Sequence, residues 1–303
     1  MSNIVTINSI SQVHKSLGLP APKHPLITII KSESIKEYSD FKNVKIVNNL
    51  YQVGYKQAAC GTLTYGRNSY DYQEGTLIFT APGQTTEYNE DEAANDAAHG
   101  WSLLFHPDLF RKSDLAEKIG EYGFFEYASN EALHLSEDER NHIEELCDKI
   151  EYEYSHNLDS HSLNLINSNL ELLLDYCLRY YDRQFLSRTN LNQDVISKFE
   201  KTLKTYYKNS KEDELGLPSI AYCANELNLS PKYLSDLLKK ETGKAAQEHI
   251  HLFIVEKAKN ILLNSTDSVS EVAYALGFDY PQHFSNLFKS KTGSSPKEFR
   301  NLN

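Results

Sequence analysis

Two stretches near the end of the chain lie over one another, and a chain that repeats a helical unit so closely has few ways to fold there. The first is ANELNLSPKYLSDLLKKETG, Ala224 to Gly243, and the second is AYALGFDYPQHFSNLFKSKTG, Ala273 to Gly293. Ala224, Leu227 and Ser230 fall on Ala273, Leu276 and Asp279 at an offset of 49. Leu234, Ser235, Lys239, Thr242 and Gly243 fall on Phe284, Ser285, Lys289, Thr292 and Gly293 at an offset of 50. The pattern predicts a duplicated helix-turn-helix, with one extra residue at the start of the second helix of copy two.

Local chemistry builds each copy. In copy one a short helix turns Ile220, Ala224 and Leu227 inward and ends near Asn228. Ser230 then caps a helix that tolerates Pro231 in its first turn, buries Leu234, Leu237 and Leu238, and closes at Gly243. In copy two Ser268 and Glu271 form a capping box, Val272 and Leu276 face inward, and Gly277 supplies the turn. Asp279 is expected to cap the helix that buries Phe284, Leu287 and Phe288. Between the copies, Ile250, Ile254, Ala258, Ile261 and Leu262 form an apolar stripe, which predicts a linker helix of about 14 residues and about 21 Å.

Once the inner faces are assigned, the opposite sides follow at i, i+3, i+4 and i+7. They are Lys232, Ser235, Asp236 and Lys239 in copy one, and Gln282, Ser285, Asn286 and Lys289 in copy two, with His283 alongside. The amides of Gln282 and Asn286 suit the donor and acceptor pair on an adenine edge, whereas Lys239 and Lys289 suit phosphates. A polar helix face is ordinarily just solvated. Two equally framed faces on a rigid connector are what successive major grooves, about 34 Å apart, require.

The segment from Ser268 to Arg300, with Gly277-Phe278, Phe284-Ser285, Phe288-Lys289, Gly293, Pro296 and Phe299-Arg300, resembles the signature of the AraC/XylS family of regulators. The resemblance implies a cytoplasmic, sequence-specific, double-stranded DNA binder, usually a homodimeric activator that works with RNA polymerase. Matched residue by residue, it assigns base reading to Lys232, Ser235 and Asp236, and to Gln282, Ser285 and Asn286. Arginine is frequent in the family where this chain has Asp236 and Asn286. Asp236 accepts hydrogen bonds but repels phosphate, so copy two is expected to set more of the specificity and copy one to contribute mainly register through Lys232 and Lys239.

The front of the chain reads differently. From Pro25 to about Phe105 the runs LITIIK, VKIVNN, YQVGYKQAA, GTLTYG, GTLIFT and GWSLLF predict short strands of a small barrel or sandwich. The turn in EGTLIFTAPGQ, Glu74 to Gln84, and HGWSLLFHPDLF, His99 to Phe110, are similar to cupin segments. The resemblance therefore implies an α+β chain. A cupin-like barrel with a helical dimerisation or linker segment precedes an all-α domain of two helix-turn-helix units joined by a linker helix.

The expected boundaries are 1–186 for the front domain, with strands at about 25–106 and helices at about 114–186, then 187–215 for a linker and connecting helix, and 216–303 for the DNA-binding domain. The polar run SRTNLNQD, Ser187 to Asp194, is the expected linker. Ser136 and Glu139 open the first long helix as a capping box, and Leu163, Ile166, Leu170, Leu173 and Cys177 form a seam on the next, either core packing or a dimer contact.

The strand before the Pro-Gly turn, YGRNSYDY, has no histidine, and Thr85 and Thr86 follow Gly83, so no metal ligand set is expected and His99 and His106 read as capping or core residues. No cofactor is expected. A metal-free barrel still accommodates a small effector, for which Tyr51, Tyr55, Tyr65, Tyr70 and Tyr72 supply aromatic walls and Arg67 a cation.

The whole chain carries −11, yet residues 193–303 hold 15 Lys and Arg against 14 Asp and Glu, so residues 1–192 carry −12. A near-neutral C-terminal part must rely on positioned contacts rather than a bulk field. Four scattered cysteines, Cys60, Cys147, Cys177 and Cys223, fit packing in a reducing compartment. Neither an export signal nor a membrane span is expected. The competing function is a metal-independent cupin enzyme, or a sugar- or metabolite-binding protein with a helical interaction domain. The missing histidines and the absence of a Ser/His/Asp or Cys/His arrangement argue against an enzyme.

Overall fold

The computed structural model describes residues 4–35, 45–56, 75–87, 100–156, 158–187 and 189–302. The chain divides into two units, Met1–Ser187 and Arg188–Asn303.

The first unit begins earlier than its strand signals suggest. A strand β1 (Ile4–Ile7) and a helix α1 (Ile10–Ser16), capped by Ser9, precede β2 (Ile27–Lys31). Then follow β3 (Lys45–Asn48), β4 (Tyr51–Lys56), β5 (Thr76–Thr80), β6 (Gln84–Glu87), β7 (Gly100–Phe105) and β8 (Leu133–His134). The described strands form two sheets, ordered β1-β3-β6 and β2-β7-β4-β5-β8, and no closed barrel. The GTLTYG run lies outside the described residues.

Alternation sorts the larger sheet into two faces. Val53 sits opposite Phe79 and Leu103, and Tyr55 opposite Leu77 and Trp101, so these side chains share one face. That face meets an aromatic layer: Phe79 lies 4.4 Å from the Phe124 ring and Tyr51 4.9 Å from Phe125. The other face presents Ile30 and Leu104 to a second cluster with Ile7, Ile10, Val13, Ile46 and Leu50.

Helices α2 (Leu115–Lys118), α3 (Glu137–Ser155) and α4 (Ser162–Ser187) complete the unit. The Ser136 and Glu139 capping box is present. The seam on α4 is core packing: Ile166, Leu170, Leu173 and Cys177 are fully buried, while Leu163 at its start is exposed. On the free edge of β2, the Ile29 N–H donates to the Tyr154 hydroxyl at 3.0 Å, which covers a backbone donor that would otherwise invite pairing. No helix of the described residues is long and apolar enough to cross a membrane.

The second unit is all helix: α5 (Thr189–Lys208), α6 (Glu212–Leu215), α7 (Ile220–Glu226), α8 (Pro231–Thr242), α9 (Ala246–Asn264), α10 (Val269–Ala275), α11 (Pro281–Thr292) and α12 (Pro296–Leu302). The polar run read as a linker is mostly the first turns of α5. That helix buries Phe199, Leu203, Tyr206 and Tyr207 in the same cluster as both copies, so it is part of the second unit. The linker helix α9 is longer than its apolar stripe indicates, at 19 residues or about 28 Å.

Candidate nucleic-acid interface

The two copies are framed alike. Their first helices, α7 and α10, have seven residues each and are capped by Ser219 and Ser268, which accept from the backbone N–H three residues on. Ala224 and Ala273 are fully buried, so the second helix packs closely on the first. Their second helices, α8 and α11, have twelve residues each. Both end on a left-handed glycine, Gly243 at φ 72° and Gly293 at φ 81°. In both, a threonine hydroxyl closes the last turn, Thr242 donating to the Leu238 carbonyl at 2.6 Å and Thr292 to the Phe288 carbonyl at 2.8 Å.

The extra residue of copy two lies in the turn, not in the helix, because helix lengths are conserved while the offset steps from 49 to 50 between them. That step has a consequence at the cap. Ser230 Oγ accepts from the Tyr233 N–H at 3.2 Å, as expected for copy one. In copy two the N-cap is Tyr280, which makes no side-chain cap bond, so Asp279 is not the cap. The added residue moves the carboxylate one position too far from the helix to reach its free N–H groups.

The candidate reading faces differ in how free their side chains are. On α8 Lys232 Nζ pairs with Asp236 Oδ1 at 3.2 Å, and the Ser235 hydroxyl donates to the Pro231 carbonyl at 2.8 Å. Lys239 is exposed near the helix end. On α11 Gln282, His283, Asn286 and Lys289 are exposed and Ser285 is half-buried. Among the described residues, neither the Gln282 nor the Asn286 amide makes a hydrogen bond. Behind them Phe284 and Phe288 are fully buried.

Two features escaped the sequence reading. The Lys232 and Asp236 pair was visible in principle, since i, i+4 opposite charges on a helix meet. Tyr280 is 64% exposed at the tip of α11, with its ring edge-on to His283 at 5.3 Å. Its signal was an aromatic residue immediately before a first-turn proline.

Supports converge on α11 from its neighbours. Lys291 on α11 pairs with Glu248 on α9 at 2.5 Å and holds that carboxyl below its usual range. Arg300 on α12 donates to the Leu262 and Asp267 carbonyls at 3.0 and 2.6 Å, closing the C-terminal end of α9. Phe299 packs its ring against Phe288 at 5.4 Å. In copy one His249 Nε2 lies 2.7 Å from the Thr242 hydroxyl, and burial lowers its pKa.

The first unit treats the expected effector residues differently. Tyr51 stacks on Phe105 and Tyr55 on Trp101, so both belong to the aromatic layer beneath the helices rather than to the face turned toward the smaller sheet. Tyr65, Arg67, Tyr70, Tyr72, Cys60 and His99 lie outside the described residues. His106 accepts from the Asp108 N–H at 3.1 Å as a local cap. Among the described residues no three His, Cys, Asp or Glu side chains are grouped to hold a metal ion.

Residues 223–302 match a family described as a helix-turn-helix domain. The transcriptional regulatory protein YesN of Bacillus subtilis strain 168, itself described as uncharacterized, is 41% identical over 93 residues, 29% of this chain and 25% of that protein. The HTH-type transcriptional activator RhaS of Escherichia fergusonii is 38% identical over 77 residues, 25% of this chain and 28% of that protein. The chain thus spans about a quarter of the length of these curated relatives. Among solved structures, the C-terminal domain of AraT, a response regulator from Geobacillus stearothermophilus, is 28% identical at a TM-score of 0.30, covering 35% of this chain and 84% of that domain.

Proposed function

From a C-terminal region that is an AraC-type helix-turn-helix domain, we propose that the protein is a sequence-specific DNA-binding transcription regulator. In this reading α8 and α11 enter successive major grooves and α11 sets more of the specificity. The observation that carries it is the pair of uncommitted amides, Gln282 and Asn286, on the exposed face of a capped, aromatic-backed helix. An amide offers a donor and an acceptor side by side, which is the pattern of an adenine edge. Lys239 and Lys289, at the far ends of their helices, hold the phosphates and set register.

Activation is the favoured output, supported by the relatives named as activators. Contact with RNA polymerase and a homodimeric assembly belong to the same proposal. So does a cupin-like front domain that a small effector controls, with Arg67 as the residue to test first.

Site selection from random DNA with the full chain is the primary experiment, followed by binding to the enriched site across a salt series. DNA binding predicts one enriched motif and a log K that falls linearly with log salt. Absence of an enriched motif, with no salt dependence, would remove the proposal.

A further inference from the structure

Two adjacent tyrosines on α5 reach into different parts of the duplicated domain. Tyr206 donates its hydroxyl proton to the Gly216 carbonyl at 2.9 Å, just ahead of copy one. Tyr207 donates to the Leu276 carbonyl at 3.1 Å, inside the turn of copy two. The two carbonyl-bearing segments touch: a methyl group on Gly277 would stand 2.6 Å from the Gly216 oxygen, and one on Gly216 would stand 3.4 Å from the Gly277 oxygen. Both glycines have positive φ, 72° and 88°, which favours glycine at each, and the close approach itself needs bare backbone at Gly277.

Tyr207 is also tied to the connector. Its ring stacks on Phe253 of α9 at 6.0 Å, with Lys257 Nζ 4.8 Å from its centroid. Burial pushes the Tyr207 hydroxyl well above its usual range, so it remains a protonated donor.

We infer that Tyr207 is a positioning residue for DNA recognition, because it locks the turn of copy two against the lead-in of copy one and thereby fixes the spacing between the two recognition helices. Packing, the Lys291–Glu248 pair and Arg300 fasten copy two to α9 alone. The hydrogen bond to the α10–α11 turn and the Gly216 to Gly277 contact add a second attachment, from copy two to α5 and to the lead-in of copy one. The inference rests on the DNA-binding reading above and deepens it.

A rigid pair of helices binds well only when half-site spacing matches, since the second helix then engages at high effective concentration. The test uses the full chain and the site enriched from random DNA, with the spacer between half-sites lengthened or shortened by one base pair. The wild-type chain should lose about 30-fold or more on either shifted site, the cost of a misplaced specific contact. Tyr207→Phe keeps the ring and its stack, and should bind the best site within about threefold of wild type while losing less than about fivefold on the shifted sites. Phe253→Leu, which removes the stack, should flatten the profile in the same direction. Ile250→Val, a core change on α9 that leaves the Tyr207 hydrogen bond and the Phe253 stack in place, should keep the steep wild-type profile.

A Tyr207→Phe profile parallel to wild type would overturn the lock while leaving DNA binding intact. Equal flattening by Ile250→Val would overturn it too, by showing general loosening. No enriched site for the wild-type chain would remove both the lock and the reading beneath it.

Discussion

At the scale of single residues, the exposed faces of α8 and α11 are unequal for a reason that is electrostatic. Lys232 and Asp236 are both about one-third exposed and neutralise one another within one turn of α8. An ion pair at that exposure is worth about 0–1 kcal/mol to the fold, so its larger effect is on what α8 offers to phosphate. Asp236→Ala should leave stability almost unchanged, raise affinity for random DNA, and steepen the salt slope by about one unit as Lys232 is freed. Titrations on random duplex at several salt concentrations measure this, and an unchanged slope would mean that Lys232 does not face the backbone. Gln282→Ala and Asn286→Ala should behave oppositely, each costing about 1–3 kcal/mol on the enriched site and little on random DNA. Equal losses on both substrates would reduce these amides to backbone contacts. The residues themselves were legible because helical spacing separates inner from outer positions. Their commitments were not, since Ser235 could equally have faced DNA or bonded Pro231.

At the scale of elements, what the sequence revealed depended on whether the signal was local. Capping boxes at Ser136 and Ser268 and the glycines that end α8 and α11 sit within a few residues of the groups they satisfy, and all four appear where expected. The position of the extra residue was harder, because Asp279 looks like a cap by chemistry alone. The prolines held the better clue: Pro231 and Pro281 are 50 apart, and a proline in the first turn places the cap one residue earlier, at 230 and 280. Strand β1 and helix α1 were missed because their burial depends on β3, which pairs with β1 some forty residues away in sequence. The uncapped α11 yields a prediction. Tyr280→Ser restores at copy two the cap that Ser230 provides at copy one, and should stabilise the second unit by about 1 kcal/mol, or about 5 °C in thermal melting. A lower melting temperature would instead show that the Tyr280 and His283 ring contact outweighs the missing cap.

At the scale of the whole molecule, the division of charge follows the division into two units. With the boundary at Ser187, the second unit holds 16 Lys and Arg against 14 Asp and Glu, and the first holds 15 against 28. The first unit therefore carries −13 and the second +2. Counting from Arg188 rather than from residue 193 moves one cation, Arg188, into the second unit. Ser, Thr and Asn in SRTNLNQD are as frequent in helix starts as in linkers, and only the later Phe199, Leu203, Tyr206 and Tyr207 mark α5 as part of a packed domain. Because one apolar cluster joins α5 to both copies, the segment from Arg188 to Asn303 should fold without the first unit. Freed of an acidic partner, it should also bind DNA more tightly wherever long-range charge matters. On a random duplex of about 20 base pairs, too short for two copies to share, the isolated segment should bind several-fold tighter than the full chain at about 0.05 M salt. The difference should shrink toward zero by about 0.3 M, as the screening length falls well below 10 Å. A full chain that binds random DNA as tightly as the segment at the lower salt would mean that the acidity of the first unit is held out of reach of the DNA.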